Sequence, residues 1–168
     1  MPARSDTPSA MPCPLWRRLL ALVYDLLIVV AIVMVVGLLS QLATGGQLVQ
    51  GADHAQVPAW YRPLQGLVVS AYFIGSWLRG GQTVGMRPWH IRVTARDGAA
   101  PTLQQAVLRL LVAAAPMLLL MLAPVLGLRA TLWLLLAAWG AWFAVALFDP
   151  RRRALHDIVA GTELRQTG

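Results

Sequence analysis

Long apolar runs constrain this chain more than any other feature of its sequence. Four occur, at about residues 15–43, 60–78, 103–126 and 131–148, and a helix needs roughly 20 apolar residues to cross a bilayer. The chain is 58% hydrophobic and 12% charged, about half the charged share of an average soluble domain. We therefore predict an all-α membrane protein with four transmembrane helices and a single membrane domain over residues 15–162.

The first and second runs differ in polarity. The first carries Asp25 and continues to the polar turn at 44–46, whereas a cleaved signal peptide has a shorter apolar stretch and a small-residue cleavage site. We interpret it as a span. The second run is the most polar because Gln65, Ser70 and Ser76 interrupt it, and this stripe predicts contact with other helices or with a small wet cavity.

The positions of the arginines predict the orientation in the membrane. All 14 basic residues are Arg, and positive side chains concentrate in short cytoplasmic connections. One side of the four runs has only Arg62 and Arg129; the other has Arg17, Arg18, Arg79, Arg87, Arg92, Arg96, Arg151, Arg152 and Arg153. We predict a multi-pass protein of the bacterial inner membrane with both termini in the cytoplasm.

The net charge of +7 predicts a lipid partner rather than nucleic acid, because the arginines lie beside apolar segments. Tryptophans support the same placement, since indole rings concentrate at the two membrane interfaces. We interpret Trp16, Trp60, Trp77 and Trp133 as interfacial anchors. Trp139 and Trp142 lie inside the fourth span, and we expect them to pack against other helices.

Outside the spans, short segments carry their own patterns. Residues 1–14 are predicted to be a disordered cytoplasmic N-terminus, and residues 163–168 a C-terminal tail. Polar and apolar side chains alternate over His90–Thr94, and the turn signal that follows at 96–98 predicts a short cytoplasmic strand or hairpin.

The segment after the fourth span predicts an amphipathic helix at the membrane interface, over about residues 150–160. Pro150 suits a first helical turn and Gly161 a helix end. We expect its apolar face, formed by Leu155, Ile158 and Val159, to enter the headgroup layer. Arg153 and Asp157 have the spacing of a local ion pair. The arginine triplet is predicted to contact anionic headgroups: Arg151, Arg152 and Arg153.

Three charged residues inside or beside the spans are the candidate site. Arg18 and Asp25 are seven residues apart and so share a helix face, with Asp25 about 10 Å deeper. An acid at that depth must be protonated, hydrated or paired. Arg109 lies about two turns into the third span, at a similar depth, so we predict a contact between Asp25 and Arg109. Arg18, nearer the surface, is the alternative partner of Asp25 or would reach a phosphate.

Two hypotheses follow from this constellation. In the first, Asp25 is a titrating group in a small transporter that exchanges monovalent cations and protons, with Arg109 tuning its charge. Since no other acid lies inside a span, such a carrier would need a homo-oligomer. In the second, the charged residues form a static ion pair that specifies helix contacts, and the protein is a structural or assembly subunit of a membrane complex.

Other chemistry lacks the residues it needs. The three histidines, His54, His90 and His156, are scattered without metal-ligand spacing, and we expect neither a metal nor a cofactor. No activated nucleophile or acid/base pair is visible, so we do not expect an enzyme.

Three stretches together resemble the RDD family of bacterial membrane proteins, and the resemblance covers nearly the whole folded chain. They are the segments 16–25, 81–86 and 155–162, and their motif residues are Arg18, Asp25, Gly81, Gln82, Thr83, Gly85, His156 and Asp157. The resemblance implies that Arg18, Asp25 and Asp157 are the name-giving residues. Met86 departs from the pattern, which usually has Lys at that position.

The resemblance also implies a polytopic membrane protein for which cation and proton exchange has been suggested. It names no substrate.

Overall fold

The computed structural model describes residues 13–46, 48 and 57–167. All but the last two residues of the predicted N-terminal segment 1–14 lie outside the described residues. The helices are α1 (Leu15–Ala43), α2 (Tyr61–Gly80), α3 (Leu103–Ala114), α4 (Ala123–Leu126), α5 (Leu128–Phe148) and α6 (Leu155–Ala160). Two 3₁₀ segments, Arg87–Trp89 and Ala115–Leu122, and two strands, β1 (Ile91–Ala95) and β2 (Thr162–Gln166), complete the described fold.

Among the residues that the structure describes, three helical segments are long and apolar enough to cross a membrane: Leu15–Ala43, Leu103–Leu126 and Leu128–Phe148. They match the predicted first, third and fourth spans, the last beginning three residues earlier than the predicted 131. Helix α2 has 20 residues, a length of about 30 Å, but it is not among the three. Its arginines and polar side chains lower its apolar character below that of the other helices.

The long helices pack side by side in chain order. Helix α1 contacts α2, α2 contacts α3, and α3 with its 3₁₀ extension contacts α5. They expose large apolar side chains to their surroundings, among them Met121 (78% exposed), Val125 (83%) and Phe148 (87%). Exposed apolar surface on this scale suits contact with lipid.

The segments 81–95 and 154–166 pack together in a compact layer at one end of the long helices. We call this layer the cap. Strands β1 and β2 pair antiparallel in it, with Ile91 opposite Gln166 and Ala95 opposite Thr162. The predicted strand at 90–94 is confirmed to within one residue. The predicted tail at 163–168 is wrong, because residues 163–166 continue the chain as the partner strand of β1.

The buried hydrophobic cluster lies at the cap rather than between the long helices. Its members come from the entry and first turns of α1, the end of α2, the loop before β1, the start of α3 and both strands: Cys13, Ala21, Trp77, Met86, Ile91, Val93, Ala106 and Leu164. Met86, which departs from the family pattern, is thus a core residue.

Helix α6 differs from the predicted amphipathic helix. It begins at Leu155 instead of 150, and the arginine triplet lies in the irregular segment before it. Val159 is exposed, but the face toward the protein holds His156, Asp157 and Ala160 instead of an apolar stripe. The physical reason is that Asp157 enters buried ion pairs, which orient the helix more strongly than its apolar side chains do.

Pro116 ends α3 and starts the 3₁₀ segment. A proline inside a helix removes the backbone hydrogen bond to the carbonyl four residues earlier, here that of Val112. In the structure, the indole N–H of Trp142 donates to this carbonyl at 3.2 Å, and that of Trp139 donates to the Ala113 carbonyl at 3.2 Å. The prediction that these tryptophans pack against another helix is confirmed.

We expect Trp142→Phe to lower the free energy of unfolding by about 1 kcal/mol in detergent, because the hydrogen bond between α5 and the Val112 carbonyl is lost in an apolar environment and only the Ala115 N–H still donates to that carbonyl. Denaturant unfolding measures this change. Adding Pro116→Ala should reduce the loss, since residue 116 then offers an N–H. Trp133→Phe, at a 65% exposed position, is the matched control, and an equal loss in this control would contradict the assignment.

Candidate functional site

Asp157 joins three helices through its carboxylate. It is fully buried at the start of α6. Its Oδ1 accepts a hydrogen bond from Nη1 of Arg109 in α3, and its Oδ2 accepts one from Nη1 of Arg18 in α1 at 3.3 Å. The backbone N–H of Ala154 also donates to Oδ2, at 3.0 Å. One carboxylate therefore fixes α6 against α1 and α3.

Arg109 is held on two further sides. Its Nη1 also donates to the Thr162 hydroxyl at 3.0 Å, and its guanidinium carbon lies 5.2 Å from the ring centroid of Trp77. Trp77 is only 5% exposed, so its interpretation as an interfacial anchor is wrong. It lies beneath a buried guanidinium, where a ring face attracts a cation.

The charge of Asp157 depends on its arginines. Burial alone would raise the pKa of this carboxyl, but the positive charges of Arg109 and Arg18 outweigh burial and hold the pKa below its ordinary value. The carboxylate is therefore ionised at neutral pH. Removing Asp157 would leave the buried guanidinium groups of Arg18 and Arg109 without their acidic partner, which is strongly destabilising.

His156, next to Asp157, is neutral at physiological pH. Burial and the nearby Arg109 lower the pKa of its imidazole to about 4, although Asp157 acts in the opposite direction. The ring packs edge-on against Phe143 of α5, with 5.7 Å between centroids.

Asp25 has a separate set of partners, all of them neutral. The Tyr72 hydroxyl of α2 donates to its Oδ1 at 2.9 Å, the Thr83 hydroxyl donates to Oδ2 at 2.6 Å, and the Gly85 backbone N–H donates to Oδ1 at 3.0 Å. The residue is 3% exposed. A buried carboxylate with three donors has its hydrogen-bonding requirement largely met.

The loop 81–86 encloses Asp25, and its two glycines explain how. Gly81 ends α2 in a left-handed conformation (φ 70°), and a Cβ there would lie 2.5 Å from the Val93 carbonyl oxygen. At Gly85 a Cβ would lie 2.6 Å from the Ala21 carbonyl oxygen and 2.7 Å from Cγ of Asp25. Only glycine allows the loop to approach both β1 and α1 this closely.

Gln82 holds the loop from its other side, because its side-chain amide donates to the Ile91 carbonyl at 3.0 Å. The motif residues Gly81, Gln82, Thr83 and Gly85 thus form the enclosure of one carboxylate and attach it to β1.

The predicted contact between Asp25 and Arg109 is wrong. Arg109 and Arg18 both bind Asp157, and among the residues the structure describes no basic side chain forms an ion pair with Asp25. Matching depths in two helices do not make two side chains neighbours. Asp157, which lies in α6 of the C-terminal segment, is the closer partner for both arginines.

The three arginines at 151–153 have different surroundings. Arg153 binds Asp149 through two side-chain hydrogen bonds, of 2.9 and 3.0 Å, so the predicted pair with Asp157 is wrong. These bonds lower the pKa of Asp149. Arg151 and Arg152 are exposed.

Sequence reasoning did not identify Tyr72 and Thr162 as partners of the charged residues, and their hydroxyls carry no pattern that would have revealed it. Within the described ranges, His, Cys, Asp and Glu side chains do not group in a way that could hold a metal ion.

The RDD family model matches residues 12–161. This range includes both aspartates, both arginines and the glycine loop. No curated protein and no solved structure matches the chain.

We expect Gly85→Ala to lower the free energy of unfolding by about 1–3 kcal/mol, because the methyl group would overlap Asp25 and the backbone of Ala21. Gly75→Ala is the matched control, since a Cβ at Gly75 would meet nothing within 4 Å. Thermal unfolding of both variants in detergent measures the difference. Equal melting temperatures for the two would contradict the enclosure of Asp25 by this loop.

His156 makes the free energy of unfolding depend on pH. Its pKa falls from 6.5 to about 4 on folding, so the unfolded state binds the proton first and stability decreases as the pH falls from 6.5 toward 4. We expect His156→Gln to flatten this part of the profile in thermal melts. His90→Gln, at an exposed position, should keep the wild-type profile; an unchanged slope in His156→Gln would exclude this role.

Proposed function

This chain belongs to the RDD family, and we propose that it is a polytopic protein of the bacterial inner membrane that acts as a non-transporting structural or assembly subunit. The observation that carries the proposal is that both buried aspartates bind donors from separate segments. Asp157 joins α1, α3 and α6, and Asp25 joins α1 to α2 and the loop 81–86. Both carboxylates thus connect the cap to the helices.

The groove next to Asp25 also supports a non-transporting role. One turn further along α1, a groove of about 380 Å³ opens between α1 and α2. Its lining is entirely apolar: Ile28, Ala31, Ile32, Val35, Val36 and Val68. A dehydrated cation needs oxygen ligands along its path, and this groove offers none from its side chains.

The proposed topology has four crossings, with α2 as the most polar span and the cap in the cytoplasm. The uncharged part of α1, residues 26–43, has 18 residues and a length of about 27 Å, close to the roughly 30 Å of hydrocarbon. Asp25 then lies at the cytoplasmic boundary. The exposed Arg151 and Arg152 lie on this side and would contact anionic headgroups.

A second candidate function, exchange of monovalent cations and protons, is favoured by one feature of Asp25. Its donors are neutral, and the hydroxyls of Tyr72 and Thr83 can accept as well as donate hydrogen bonds. The carboxyl could therefore gain a proton without leaving an arginine unpaired. Since the adjoining groove is apolar, this function would require a homo-oligomer to complete the path.

Asp25→Asn separates the two functions. The variant replaces one acceptor oxygen with an NH₂ group, so at least one hydrogen bond from Tyr72, Thr83 or Gly85 must reverse its direction or be lost, and we expect the free energy of unfolding to fall by about 1–3 kcal/mol. We also expect wild-type protein in liposomes to give no proton-linked flux of Na⁺, Li⁺ or K⁺ above that of empty liposomes. Asp97→Asn, in an exposed turn, is the control for the substitution.

Flux in the wild type that disappears in an equally stable Asp25→Asn variant would contradict the structural role and establish exchange.

A further inference from the structure

A polar cleft of about 320 Å³ lies between the last turns of α2 and the loop that follows. Its polar lining consists of Tyr72, Ser76, Arg79, Gln82 and Arg87, and none of its lining residues is acidic. The cleft is on the cap side of the helices, next to the loop that encloses Asp25.

Neither arginine of the cleft has an acidic partner among the described residues, in contrast to three other arginines at this end of the molecule. The exposed Arg92 and Arg96 also lack one there, but they do not line the cleft. Arg109, Arg153 and Arg165 each bind an acid. Arg79 and Arg87 are exposed, and within the described part of the chain neither forms an ion pair or a side-chain hydrogen bond. Two like charges that face one cleft repel each other unless an anion lies between them.

We propose that this cleft binds a phosphate-bearing anion, with the phosphate group between Arg79 and Arg87. A guanidinium presents its donors in a fork that matches phosphate oxygens, and the Ser76 hydroxyl and Gln82 amide supply neutral donors at the same cleft. The ligand is either the headgroup of an anionic phospholipid or a soluble phosphate ester. Both present the same chemistry to the two arginines.

The site adjoins the enclosure of Asp25. Tyr72 lines the cleft, and its hydroxyl both donates to Asp25 and accepts from the Val84 backbone N–H at 3.1 Å. An anion in the cleft therefore also holds the end of α2 against the loop. A ligand that binds only the folded state raises its melting temperature, so binding should stabilise the cap.

The inference rests on the proposed function only for the side of the membrane on which the cleft lies. Binding is therefore tested on full-length protein in neutral detergent, where neither transport nor topology affects the result. Native mass spectrometry counts retained phosphatidylglycerol against phosphatidylcholine, and thermal melts with inorganic phosphate or glycerol phosphate, against chloride, test soluble ligands.

The test variant is Arg79→Gln with Arg87→Gln. Its matched control is Arg92→Gln with Arg96→Gln, which removes the same charge from two exposed arginines of the same side. We expect the test variant to bind the anion about tenfold more weakly, from the loss of charge-assisted hydrogen bonds, and the control to bind as the wild type does. If the variant with two Gln substitutions has a lower melting temperature than the wild type without ligand, Arg79→Lys with Arg87→Lys replaces it. This variant keeps both charges but loses the fork of donors, and it should lose less affinity for the anion.

Retention of phosphatidylglycerol without a shift by soluble phosphate assigns the site to a lipid headgroup, and a shift by phosphate or glycerol phosphate assigns it to a soluble ester. Equal losses in the test and control pairs would show general charge attraction and overturn the proposal. So would a wild type that retains both lipids equally and is not shifted by phosphate.

Discussion

The contact of Asp157 with Arg109 and Arg18 is the interaction on which the rest of the cap depends. It fixes α6 at the point where α1 and α3 begin. Strand β2 follows α6 after one residue, so the ion pairs also place the strand that pairs with β1. Strand β1 in turn holds the loop 81–86 through Gln82 and through the Val93 N–H, which donates to the Gly81 carbonyl at 2.7 Å. The enclosure of Asp25 is thus the last step of one connected set of contacts.

This arrangement suits a small protein in lipid. Because lipid tails are as apolar as the side chains that face them, burial of apolar surface contributes little to helix association within a bilayer. The long helices accordingly bury few residues, and the hydrophobic cluster lies at the cap. Polar contacts connect the remaining surfaces: the indole bonds of Trp139 and Trp142 to α3 carbonyls, and the two aspartates. Removing one such group affects contacts between several elements at once.

Features that depend on local sequence could be predicted, and features that depend on distant neighbours could not. Apolar runs gave three of the spanning segments, and alternation gave β1 to within one residue. Charge and depth mark Arg18, Asp25 and Arg109 as unusual. Depth along one helix does not determine which helix lies beside it, so the sequence predicts the wrong partner for Asp25. Strand β2 could not be predicted from its own residues, because its partner strand β1 lies far earlier in the chain. The role of the glycine loop became clear only from the positions of Ala21 and Val93.

Hydrogen exchange of Asp157→Asn tests the central claim, that this carboxylate attaches the cap to the membrane helices. The amides of residues 155–166 and of β1 are measured in detergent against the wild type, with Asp97→Asn as the control. If Asp157 holds the cap, protection in these segments falls while that of α3 and α5 remains. Unchanged protection in the cap of a variant that has lost both ion pairs would contradict the account.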